Sequence, residues 1–184
     1  VRLLCIPDLR YGGDSDSGPG VAELKRGQQK KIRQAWQEFL AGDLAASRKK
    51  ALRAGDLVPT RLLELQILLA RGEASAFEGL GELCESHPDY AAAWVTLSLA
   101  AEAFATESES LAAAEQAASL WPEPPWNERP ARLYRRWVDD RIQRAGQLLA
   151  GGDTEEAASE LEAARSLDPE RSDAAVMMAE ILVA

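Results

Sequence analysis

Apolar residues recur along this chain at helical spacing, and the recurrence begins near residue 21. In "VAELKRGQQKKIRQAWQEFLAG", Leu24, Ile32, Ala35, Trp36, Phe39 and Leu40 fall mostly on one face, ahead of Gly42. The same pattern predicts further helices over 43–55, over 60–72 behind Pro59, and over 73–87, 89–105, 108–121, 131–152 and 154–167. A last one follows Ser172, which is placed to cap it. Strand-like alternation is absent after residue 20. The first twenty residues differ. "VRLLCIPDLRY" is apolar and carries a proline that opposes helix, and "GGDSDSGPG" has the composition of a flexible linker. The expected organisation is an extended arm and linker over 1–20 and an all-α helical domain over 21–184. Because the chain starts at Val1 rather than Met, processing, a fragment or an alternative start all stay open.

The breaks between helices have their own rhythm. Pro88 and Pro122 stand 34 residues apart, and each closes a pair of helices. Gly42 to Pro59 and Gly152 to Pro169 are both 17 residues, and Gly72 to Pro88 is 16. A helix–Gly–helix–Pro unit therefore recurs, with its longest interruption at the proline-rich "PEPPWNERP". Small residues complete the unit. Ala157 and Ala164 are seven apart, so they share a helix face and allow a partner helix to approach closely.

With that unit the sequence resembles the tetratricopeptide repeat (TPR) family, whose 34-residue helix–turn–helix sets small and large residues at fixed places. The best copy runs from about Ala91 to Pro124. It has Trp94 at the large aromatic place, Leu97 and Ser98 at the following pair, Ala117 at the late small place, and Pro122 as its close. A second copy spans about Val138 to Arg171, with Ala145, Ala157, Leu161 and Ala164 in register, although Arg141 stands where the aromatic belongs. The 59–88 unit is short, and the 28–59 unit lacks clean small-residue places. The resemblance implies a right-handed solenoid of antiparallel helix pairs. It also implies a concave groove lined by the first helix of each pair, which holds peptide segments. The matching places here are Ala92, Val95, Leu99 and Glu102, then Asp139, Ile142, Gly146 and Leu149, then Asp173, Val176, Glu180 and Val183. None supplies the Lys and Asn with which some members grip a terminal carboxylate. The groove is expected to be apolar with a few acids. Trp126, on the proline-rich connection, is expected to be presented as a loop contact.

Composition narrows the function further. The net charge of −9 is laid down in blocks: residues 21–61 carry +6, 62–127 carry −10, 128–144 carry +3 and 145–184 carry −7. The basic zones contain Arg26, Lys30, Arg33, Arg48, Lys49, Lys50 and Arg53, then Arg132, Arg135, Arg136, Arg141 and Arg144. The acidic total disfavours nucleic acid, and the basic helices are expected to pair with acidic helices or an anionic partner. One histidine, His87, and two distant cysteines, Cys5 and Cys84, supply neither zinc spacing nor a disulfide framework. Phosphate-binding glycine motifs are absent, no stretch of 18 apolar residues occurs, and Glu156 and Glu160 are expected to face solvent. No cofactor, metal or catalytic set is expected. The function expected is a non-enzymatic scaffold or adaptor for protein or peptide partners. A regulatory or substrate-recognition segment of a larger enzyme is the alternative, with nucleic-acid binding behind it. Self-association is expected through the apolar arm or through the C-terminal "AAVMMAEILVA", which lacks the polar outer face of a cap. The compartment stays open, cytoplasmic or exported, and the alanine-, leucine- and arginine-rich style points to a bacterial source.

Overall fold

A computed structural model describes residues 26–122 and 124–183. The expected arm and linker, Cys5 and the first residues of the first helix lie outside that range. The described residues form an all-α structure of nine helices without strands: α1 (Arg26–Leu40), α2 (Leu44–Ala54), α3 (Val58–Ala70), α4 (Ser75–Ser86), α5 (Ala91–Phe104), α6 (Glu107–Leu120), α7 (Arg129–Gly151), α8 (Thr154–Leu167) and α9 (Ser172–Val183). Each matches a stretch of helical periodicity in the sequence. Ser172 is the first residue of α9 rather than its cap, a shift within ordinary end fraying. The helices fall into two compact units, one ending at Asn127 and one starting at Glu128.

Consecutive helices pair as α1/α2, α3/α4 and α5/α6 in the first unit and α7/α8 in the second, where α9 packs on α8. Three of these hairpins are built alike. Gly42, Gly72 and Gly152 have φ of 85°, 78° and 90°, a left-handed conformation that costs glycine little. The next residue then donates its amide back across the turn: Asp43 to the Glu38 carbonyl (2.9 Å), Glu73 to Leu68 (3.1 Å) and Asp153 to Leu148 (2.9 Å). This is the helix-ending motif in which glycine reverses the chain and the last carbonyls find donors. The α5/α6 turn has no glycine. There the Thr106 amide donates to Glu109 Oε2 (2.9 Å), and the Glu109 amide donates back to Thr106 Oγ1 (3.3 Å). That reciprocal box starts α6 instead. The two Thr106 donors, the amide first and the hydroxyl second, hold the Glu109 carboxyl below its usual range.

Small side chains decide how closely each pair approaches. Ala145, Ala157 and Ala164 are each fully buried at the α7/α8 crossing, around Leu161 and Val138. Ala101, Ala113, Ala114 and Ala117 do the same between α5 and α6. The α1/α2 pair corrects an expectation. It packs as intimately as these two, because Ala35, Ser47 and Ala51 are all fully buried there. The α3/α4 pair is the loosest of the four, with Leu62, Leu69, Leu80 and Leu83 filling the space between larger side chains. Stacking of α3 on α5 includes one buried polar link. Gln66 Nε2 donates to Thr96 Oγ1 (2.8 Å), whose hydroxyl donates to the Ala92 carbonyl (2.8 Å).

Candidate interaction groove

The expected groove places belong to α5, α7 and α9, and the structure treats them unequally. On α5, Ala92 (3% exposed) and Val95 (0%) are closed to solvent, Leu99 is half-buried, and Glu102 is exposed. The cover over Val95 comes from an unexpected source. Trp126, expected to be presented outward, is turned inward and is 7% exposed. It forms one buried cluster with Val95 and Ala117, around which Trp36, Trp94, Leu99 and Trp121 pack. Its ring lies 6.5 Å from that of Trp121, tilted by 47°. An indole can bury over ~150 Å2 of surface, so a short connection carrying one gains most by turning it onto the nearest apolar helix face.

The polar ends of these indoles are handled differently. Trp94 Nε1 donates to the Pro88 carbonyl at 2.8 Å, which ties the start of α5 to the turn before it. Trp36 Nε1 is buried and has no acceptor among the described residues. The Trp36 ring meets Phe39 edge-on at 5.8 Å. One helical turn further along the same face, Leu40 is 50% exposed.

In the second unit, Ile142 and Leu149 are half-buried and pack into the unit's own core, together with Met177, Met178 and Ile181 of α9. A side chain added at Gly146 would meet Met177 at ordinary contact distance (3.6 Å), so this α7 stripe faces α9. What remains open is α9 itself: Asp173, Val176 (57% exposed) and Glu180 are exposed, and so is Leu182 (79%). The side chain of Val183 lies outside the described residues.

Charged groups near these faces are engaged structurally. Asp139 accepts from Arg171, which also bonds Asp173. Glu160 does not simply face solvent as expected. It accepts from Arg141 (3.1 Å) and Arg144 (2.9 Å) and joins α8 to the basic α7. Lys50 pairs with Glu38 across α1/α2, and Arg61 with Glu82 at 3.7 Å across α3/α4. The expected pairing of a basic with an acidic helix is present where Arg141 and Arg144 of α7 meet Glu160 of α8, whereas Lys50 and Glu38 both belong to the basic 21–61 stretch. Cys84 is 1% exposed in the α3–α5 core. Burial, aided by the neighbouring Glu85 charge, pushes its thiol up to about 12. It is a small hydrophobe there, not a nucleophile. Among the described residues, no three His, Cys, Asp or Glu side chains converge as a metal site requires, and no helix is long and apolar enough to cross a membrane.

No known protein-family profile matches the chain, and no curated protein matches it. Among solved structures it is similar to a thermophilic TPR protein of Thermus thermophilus. The identity is 18% and the TM-score 0.49, with 85% of this chain and 100% of that chain covered. By the pairing and turns of its helices, the described part of the chain is an all-α array of consecutive helix hairpins.

Proposed function

We propose that this chain is a non-enzymatic protein-interaction scaffold that holds partner segments against apolar faces of its helix pairs. The observation that supports this most is the seating of Trp126. The helix face bearing Val95 and Leu99 accommodates an aromatic side chain carried by irregular backbone, and a partner segment would present the same kind of group. The second unit adds exposed apolar side chains on α9, Val176 and Leu182, of the sort that mark contact sites on repeat proteins. Glu180 beside them favours a segment with a basic flank. The buried Cys84 and the ion-paired Glu160 and Asp139 serve packing, which supports binding rather than chemistry as the work of the molecule.

The test is quantitative capture of the native complex with the parent and with two surface variants, Leu99→Asp and the double variant Val176→Asp/Leu182→Asp. Loss of the same partner from at least one variant, with helical content unchanged, is the expected result. Equal capture by all three would remove these helix faces from the function.

A further inference from the structure

Trp126 belongs to unit one's aromatic cluster in an unusual way. Every other member stands on a helix or, like Trp121, directly at a helix end. Trp126 alone is held within a turn, the one over 124–128 that also contains Pro124 and Pro125. It can leave its seat without unwinding a helix.

We propose that Trp126 is a built-in occupant of an aromatic-accepting site on the first unit, and that a proline-rich partner segment with an aromatic anchor binds there by displacing it. The proposal rests on the scaffold reading above and adds to it the chemistry of the partner and a gate. The self-segment "PPW" defines that chemistry. Its prolines restrict the backbone before binding, so seating the anchor costs less ordering. The present occupant also leaves the site incompletely satisfied. Trp36 Nε1, in the same cluster, is a buried donor without an acceptor among the described residues, and an indole ring offers none. A peptide backbone crossing the cluster brings carbonyl oxygens that can accept from it. Half-exposed Leu40, one turn along α1 from Trp36, extends the apolar surface for a second side chain of the partner. An external segment must therefore outdo a tethered competitor whose effective concentration is high. The parent binds more weakly than the open site by the fraction of time that site is free.

The experiment uses a capped peptide of the chain's own sequence, PEPPWNE, as probe, with the full chain and its Trp126→Ala variant. The variant, once shown to be helical by circular dichroism, is expected to bind the probe at least ~10-fold more tightly than the parent. A probe with alanine in place of tryptophan is expected to bind neither. A folded variant that binds no more tightly than the parent overturns the proposal. If the variant does not fold, the parent decides, labelled with 5-fluorotryptophan and with the Trp126 signal assigned through Trp126→Phe. Movement of that signal to a solvent-exposed position at saturating probe supports displacement. An unmoved signal, or no binding at millimolar probe, overturns it. The scaffold reading is tested separately: a native partner captured equally by parent and Trp126→Ala but lost with Leu99→Asp would sink the gate and leave the groove standing.

Discussion

At the scale of single residues, the alanines carry the fold. Ala164 is fully buried where α8 crosses α7, in one cluster with Val138, Ala145, Ala157 and Leu161. Ala164→Arg is expected to cost about 1–3 kcal/mol or more through overpacking and charge burial, read as a lower denaturant midpoint. Cys84 gives a pH dependence of known sign. Its folded pKa of about 12 lies above the unfolded value of 9.0, so its stabilising share is complete below pH 9.0. That share is lost as pH rises between 9.0 and 12, at about 1.4 kcal/mol per pH unit. Cys84→Ser should flatten that decline in a series of alkaline melts, at the cost of burying a hydroxyl. These alanine positions were legible because helical periodicity assigns each residue to a face. Trp126 was not legible for the same reason. It stands in an irregular connection with no period, so only the tertiary surroundings decide which way its ring turns.

At the scale of elements, the hairpins use two different solutions to one problem. A helix that ends abruptly leaves carbonyls and amides to satisfy, and glycine at positive φ does this for α1, α3 and α7, while Thr106 and Glu109 do it for α6. Gly152→Ala places a Cβ in the left-handed region, although the space around it is open. The expected cost is therefore conformational alone, about 1–2 kcal/mol, with a loss of amide protection centred on 148–154 by hydrogen exchange. The glycine turns and the helix ranges could be taken directly from the sequence. The quality of the α1/α2 crossing could not, because Ser47 fills one of its small places and a search for alanines passes over it. The covered stripe on α7 was missed for a related reason: helix spacing marks Ile142 and Leu149 as sharing a face, but only the chain end can say that α9 lies against it.

For the molecule as a whole, the apolar side chains exposed on α9 are not among those that fill the core. Val176 and Leu182 are 57% and 79% exposed, so the double variant Val176→Asp/Leu182→Asp should melt within roughly 0.5 kcal/mol of the parent while losing partner contact. A large drop in melting temperature would instead give this face a structural role. The alternating charge blocks meet at the α7/α8 seam, where Glu160 pairs with Arg141 and Arg144. Pairs this exposed stabilise little individually and serve more to set which helix lies beside which.

The placing of the tryptophans has an optical consequence. Four of the five, Trp36, Trp94, Trp121 and Trp126, crowd together in the first unit, whereas Trp137 is buried in the second. Rings so near one another share excitation, so their emission responds as a group to any change at one of them, and Trp137 supplies its own spectrum. Trp137→Phe would leave a chain whose fluorescence speaks for the first unit alone. The molecule thus carries its own dye on the surface where a partner is expected, and an unlabelled sample is enough to watch that partner arrive.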